Sequence, residues 1–206
     1  VTGTNDAPVV SADTATVTED SAAAASGNVL ANDDDADRAT VLKVVAPGTY
    51  VGAHGTLIMG QDGSYTYSLD NSAANVQSLA QGQTVVDSFT YAATDGIAEA
   101  ASRLDITITG TNDAPVVTAD AASMTAGANA TASGNVLAND SDVDAGTVLT
   151  VATAGTLKGS YGELVLNKDG SYVYSVDAAK TQALGRDAKV VEHFLYVATD
   201  GISKVA

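Results

Sequence analysis

Oxygen donors are concentrated in two short stretches of the chain, NDDDAD at Asn32–Asp37 and NDSDVD at Asn139–Asp144. Aspartates at alternate positions, Asp35 and Asp37 in one and Asp142 and Asp144 in the other, are how a loop offers carboxylate oxygen to a hard cation. Calcium takes roughly six to eight oxygens and tolerates irregular geometry. A solvated acidic turn is the alternative for an isolated Asp-x-Asp, and recurrence of the pattern favours the ligand reading. The EF-hand spacing of glycine and glutamate is not met, so one loop cannot close such a site, and further ligands must converge from elsewhere.

Other chemistry has less support. Abundant carboxylates always allow a paired-acid hydrolytic scheme, but His54 and His193 fall at positions whose repeat partners are Tyr161 and Ser88. Both histidines therefore read as surface or packing residues. No G-x-S-x-G turn organises a serine nucleophile, and with no cysteine there is neither a thiolate nor a disulfide framework. The expectation is that this is not an enzyme.

The elements that must carry the acidic loops are repeated. GTNDAPVV at Gly3–Val10 returns at Gly110–Val117, SGNVLAND at Ser26–Asp33 at Ser133–Asp140, and DGSYTYS at Asp62–Ser68 as DGSYVYS at Asp169–Ser175, all with an offset of 107 residues. Two residues are lost after Asp70, so FTYAATDG at Phe89–Gly96 matches FLYVATDG at Phe194–Gly201. The chain thus divides into residues 1–109 and 110–206, each large enough for one core.

Within each repeat the apolar residues alternate with period two, as in Leu104, Ile106 and Ile108 or Phe89, Tyr91 and Ala93. Leu57–Met59 and Tyr65–Leu69 flank a turn around Gly60–Gly63, the signature of a hairpin. Runs at Thr40–Ala46, Thr147–Ala152 and Ala15–Thr18 bring the total to roughly seven strands, which predicts an all-β Greek-key sandwich for each repeat. The alanine-rich Ser21–Ser26 and Ser72–Leu79 are ambiguous between strand and helical turn. Ala206 corresponds to Ala101, so the sequence stops before a counterpart of Leu104–Thr109; a cut through the repeat is the simpler explanation, and an open strand edge the other reading.

Acidic residues number 25 against 9 basic ones, a formal charge of −16, with 14 acids and 3 bases in residues 1–109. That balance disfavours nucleic acid and anionic membrane surfaces as partners and favours cations. No apolar run is long enough to span a bilayer, and no basic, apolar N-terminal segment reads as a signal peptide. The opening VTGTNDAP has the wording of one repeat running into the next, as ITGTNDAP does at Ile108–Pro115, so a neighbouring repeat is expected upstream.

Thr18–Asp20 (TED), the Asp35 and Asp37 pair, Ala93–Gly96 (ATDG) and Thr111–Pro115 (TNDAP) occur in an order that resembles cadherin extracellular repeats. Carried onto this chain, the resemblance implies Ca²⁺ at the junction, held by Glu19, Asn112 and Asp113 from the first repeat's side and by Asp142, Asp144 and Asp200 from the second. Asp70 in SLDNS is a weaker match to that family's LDRE segment. Asn5, Asp6, Asp35, Asp37 and Asp95 would face a preceding neighbour in the same way. Glu19 and Asp20 are replaced by Ala126 and Gly127, which suggests that the second repeat is terminal.

The wording is closer still to VCBS and cadherin-like repeats of large bacterial adhesins exported by type I systems, including Rap-type rhizobial adhesion proteins. Two tandem cadherin-like sandwiches are implied, in a calcium-dependent adhesion module at the cell surface or in biofilm matrix, with neighbouring repeats and an acidic exopolysaccharide or cell-surface glycan as partners. A calcium-dependent lectin is the alternative. Six of the eight tyrosines (Tyr65, Tyr67, Tyr91, Tyr172, Tyr174 and Tyr196) recur at paired strand positions and read as core, whereas Tyr50 and Tyr161 lie in glycine-rich loops and are the candidates for stacking on a sugar.

Overall fold

A computed structural model describes residues 3–22, 24–125, 130–185 and 187–206. Ala126 and Gly127 lie outside the described residues. Strand accounts for 40% of the chain and helix for 4%, so the fold is all-β. It forms two compact units, Val1–Thr111 and Asn112–Ala206.

The first unit contains β1 (Asp13–Thr18), β2 (Ala25–Asn28), β3 (Lys43–Val44), β4 (Gly48–Val51), β5 (Gly55–Met59), β6 (Ser64–Leu69), α1 (Ala74–Gln77), β7 (Thr84–Thr94) and β8 (Glu99–Thr109). One sheet has the order β1-β8-β7-β3 and the other β2-β6-β5-β4. β8 is the keystone of the first sheet. It runs parallel to β1 with Asp13 opposite Leu104, and antiparallel to β7 over the whole span from Thr84–Thr109 to Thr94–Glu99.

Period-two alternation decides which side chains go inward. Leu104, Ile106 and Ile108 are wholly buried, Phe89 and Tyr91 nearly so, and they meet Leu57, Met59, Tyr65 and Tyr67 of the other sheet in one core. Burial of each large aliphatic side chain contributes about 1.5–3 kcal/mol. The β5–β6 hairpin turns where expected, and Gly63 there adopts φ 81, a left-handed conformation that suits glycine.

Several expectations were too generous. Thr40–Ala46 supplies only the two-residue β3, and Ser72–Leu79 contains α1, while Ser21–Ser26 runs into β2. Asp70 Oδ1 accepts from the backbone N–H and hydroxyl of Ser72, an Asx turn.

The second unit contains β9 (Thr131–Asn135), β10 (Thr150–Val151), β11 (Gly155–Lys158), β12 (Gly162–Leu166), β13 (Ser171–Val176), α2 (Ala178–Thr181), β14 (Ala198–Thr199) and β15 (Lys204–Val205). The sheet β11-β12-β13-β9 reproduces β4-β5-β6-β2, whereas β10-β14-β15 is a stub of the other sheet. Its core cluster is correspondingly small, with Val136, Val151 and Leu166 at the centre. Phe194–Ala198, expected as strand, is laddered only at Ala198.

One buried polar cluster ties the first sandwich together. Asp87, 4% exposed, points inward from β7. It accepts the hydroxyl of Tyr67 at 2.8 Å and the backbone N–H of His54 at 3.0 Å, and its other oxygen lies 2.7 Å from His54 Nδ1. His54 is thus a packing residue with a specific partner. In the second unit Glu192 takes the place of Asp87, receiving the Tyr174 hydroxyl and the Tyr161 backbone N–H. Burial pushes the Asp87 carboxyl up, but the donors from His54 and Tyr67 outweigh it and hold the group below its ordinary value. A depressed carboxyl stabilises the fold above its unfolded pKa, and that contribution is lost as pH falls through the folded value. Asp87→Ala should therefore cost about 2–4 kcal/mol in urea unfolding at neutral pH, with the deficit shrinking in acid; a loss below 0.5 kcal/mol would contradict the assignment.

Candidate cation site

Each unit gathers its acidic loop, its Asn-Asp segment and its Thr-Asp-Gly turn into one mesh. In the first unit Asn5 Nδ2 donates to Asp95 Oδ2 at 2.9 Å, Asp6 N–H to Asp37 Oδ2 at 3.0 Å and Asp37 N–H to Asp35 Oδ1 at 2.8 Å. The second unit repeats the pattern. Asn112 Nδ2 donates to Asp200 Oδ2 at 2.9 Å, Asp113 N–H to Asp144 Oδ2 at 3.1 Å and Asp144 N–H to Asp142 Oδ1 at 2.9 Å.

Local structure explains why these side chains meet. Isolated antiparallel bridges, Val9 with Asp34 and Val116 with Ser141, pin each Asn-Asp segment beside its acidic loop. The Thr-Asp-Gly turn is closed by its own aspartate: Asp95 Oδ1 accepts from Ile97 and Ala98 N–H at 2.7 Å, and Asp200 Oδ1 from Ile202 and Ser203 N–H at 2.6 Å. Gly96 and Gly201 take φ 99 and 104 at the apex, which a side chain would resist.

The important consequence concerns the oxygens left over. Asp35 and Asp142 each spend one oxygen on a backbone N–H two residues on, and Asp144 spends one on Asp113. Among the described residues Asp35 Oδ2, Asp142 Oδ2 and Asp144 Oδ1 are buried with no hydrogen-bond donor. Buried carboxylate oxygen without a donor is costly. Hard oxygen donors held in this way fit calcium chemically. The mesh is nonetheless open: among the described residues no group of three or more His, Cys, Asp or Glu side chains could by itself hold a metal ion.

Electrostatics reflect the crowding. Asp144, 4% exposed, is pushed above the usual carboxylate range by burial and by the charges of Asp142 and Asp200, against the Asp113 N–H that favours its ionised form. Burial raises Asp200 as well, but the donors Asn112, Ile202 and Ser203 prevail and hold it low. Asp95 is held low by the Ala98 and Ile97 N–H groups and by Asn5.

Glu19 is elsewhere. It follows β1 and is 1% exposed, with Oε2 accepting the Thr111 N–H at 2.9 Å and Oε1 facing Gln77 Nε2 at 3.4 Å. Asp95 lies at the Thr94–Glu99 end of the β7–β8 ladder and Glu19 beyond its Thr84–Thr109 end, so they occupy opposite ends of the first unit, about ten residues of strand apart. Gln77 and Ser203, which lies 3.0 Å from Asn112 Nδ2, were not anticipated. Gln77 sits in the ambiguous alanine-rich stretch, and Ser203 replaces Ala98 of the first repeat, a position with no distinguishing pattern. Tyr50 is half-buried against the first core with its hydroxyl on the Ala46 carbonyl, and Tyr161 is half-buried beside Glu192.

A family model for the bacterial cadherin-like domain matches residues 5–110 and again 112–206. Among solved structures the chain is similar to mouse protocadherin-24 EC1-3, at 14% identity over 85% of this chain and 59% of that one with TM-score 0.44. It is also similar to the protocadherin GammaB4 extracellular domain, at 16% identity over 80% and 26% with TM-score 0.45. A third similarity is to an endo-fucoidan hydrolase of glycoside hydrolase family 107, at 17% identity over 96% and 27% with TM-score 0.35. The chain spans less than two thirds of each of these, and at such scores they carry no argument about activity. No curated protein matches the chain.

An aspartate whose folded pKa is raised contributes stability below its unfolded pKa, and that contribution disappears as pH rises through the folded value. Without divalent ions Asp144 should therefore burden the second unit at neutral pH. Asp144→Asn keeps an acceptor for Asp113 and removes the charge. It should raise the thermal midpoint in chelator by a few degrees and abolish the further rise that millimolar calcium gives the unsubstituted chain. An equal calcium response in both would show that Asp144 is no ligand.

Proposed function

Because the chain belongs to the bacterial cadherin-like domain family, we propose that its two repeats form an adhesion-type module that calcium stiffens at the repeat junction. In this reading Glu19 acts from the first unit, Asn112, Asp113, Asp142, Asp144 and Asp200 act from the second, and Asp35, Asp37 and Asp95 serve the equivalent site toward a preceding repeat. The carrying observation is that Asp35 Oδ2, Asp142 Oδ2 and Asp144 Oδ1 are buried and, among the described residues, have no hydrogen-bond donor.

The energetics favour a switch. Two carboxylates about 4 Å apart repel by about 1 kcal/mol in water and about 4 kcal/mol at an effective dielectric near 20. Converging acids therefore loosen the place where they meet, and a divalent ion bound by their oxygens reverses the sign. One feature supports a role beyond one core: Glu19 accepts the N–H of Thr111, the residue directly before Asn112 in the chain.

Setting supports the same reading. Extracellular calcium modules bind at about 10⁻⁴–10⁻³ M, which leaves them empty in a calcium-poor cytosol and filled outside the cell. We place the module in a secreted bacterial surface or biofilm-matrix adhesin. Bacterial cadherin-like domains are of extracellular type, and among the described residues no helix is long and apolar enough to cross a membrane.

Small-angle scattering tests this directly. Calcium should narrow the distribution of maximum dimensions of the chain, and Asp113→Asn should require at least tenfold more calcium for the same change while both repeats stay folded by circular dichroism. Identical scattering in calcium and in chelator would overturn the proposal.

A further inference from the structure

Glu19 and Asp20 are neighbours in the chain, yet both carboxylates reach the same amide. Gln77 Nε2 donates to Asp20 Oδ1 at 3.0 Å and faces Glu19 Oε1 at 3.4 Å. Consecutive side chains on extended backbone point to opposite sides, and the turn after β1 removes that divergence: Asp20 takes φ 57, a left-handed conformation uncommon outside glycine. The turn is tied down on two sides. Glu19 N–H donates to the Thr109 carbonyl at 2.9 Å, while Asn71 accepts the Asp20 N–H at 3.1 Å and donates to the Ser21 carbonyl at 3.3 Å.

Packing, rather than helix propensity, places Gln77. The helix α1 has four residues and no side-chain cap, and it is anchored by Val76 and followed by Leu79, both buried. Gln77 itself is half-buried, beside a Glu19 that is almost wholly so. A primary amide can serve such a place in two ways. It carries two N–H donors on one branch and an acceptor oxygen on the other, and rotation about the last side-chain bond exchanges them. Here the nitrogen lies within 3.4 Å of two anionic oxygens, where a cation could meet both.

We propose that Gln77 sets the calcium affinity of the first unit's side of the junction site, an inference that rests on the reading of Glu19 as a calcium ligand. In the ion-free chain the amide N–H groups hold Glu19 and Asp20 together and offset part of their repulsion. Turned over, the same amide offers its oxygen beside theirs, a hard donor of the kind calcium takes. Substitutions then differ in sign. Gln77→Ala removes both the clamp and the oxygen. Gln77→Glu keeps the side-chain length and adds a further negative charge, so the carboxylates crowd without the ion and bind it more tightly, because charge count tunes such sites. Gln182 stands at the matching position of the second repeat, where the counterparts of Glu19 and Asp20 are Ala126 and Gly127. Its substitution isolates the effect of added charge alone.

The test is a calcium titration of the whole chain by nuclear magnetic resonance, read at the Thr111 backbone N–H, which Glu19 accepts, and at the Gln77 side-chain amide. In the unsubstituted chain the two signals should move together. Gln77→Ala should raise the calcium midpoint at Thr111 roughly tenfold and Gln77→Glu lower it roughly tenfold, while Gln182→Glu leaves it unchanged. A Gln77 amide that stays still while Thr111 responds would overturn the role of Gln77 and leave calcium at Glu19 in place. So would midpoints shifted the same way by both Gln77 substitutions, the result of losing a merely structural contact, or an equal shift from Gln182→Glu. A Thr111 signal indifferent to calcium would overturn the junction reading itself, and this inference with it.

Discussion

Each repeat depends on carboxylates held by one oxygen. Asp35 Oδ1, Asp142 Oδ1 and Asp144 Oδ2 each accept a backbone N–H, and in each case the second oxygen is buried and, among the described residues, without a donor. Such an arrangement fixes the direction of the side chain while leaving its charge uncompensated. Protein donors to those oxygens would stabilise the loops; without them the buried charge is a cost that the rest of the fold offsets.

The ladder of β7 and β8 carries the Thr-Asp-Gly turn at one end and delivers the chain to Thr111 at the other, and Tyr91 fastens the acidic loop to this ladder through the Val29 carbonyl at 2.9 Å. Tyr196 does the same for Val136 at 3.0 Å. In both units the mesh is built by loops and turns, the Asn-Asp segment, the acidic loop and the Thr-Asp-Gly turn.

Much of this was legible in the residues. The repeat offset, the alternation in Leu104–Ile108 and the paired Asp-x-Asp loops led to two sandwiches and to Asp35, Asp37, Asp142 and Asp144 as neighbours of Asp95 and Asp200. Other features were hidden for identifiable reasons. Asp87 is one of 25 acids, and only its inward register on β7 distinguishes it; with that missed, His54 had no visible partner. β4 and β11 are glycine-bearing edge strands whose pairing comes from their neighbours rather than from their own propensity. Gln77 meets Glu19 across 58 residues of sequence, a contact no local pattern encodes.

Diffraction from crystals grown in millimolar calcium, with anomalous scattering after lanthanide exchange, tests the central claim most directly. The account predicts an ion about 2.3–2.6 Å from Asp142 Oδ2 and Asp144 Oδ1. Ordered side chains in the same positions, with water in that place and no anomalous peak, would contradict it.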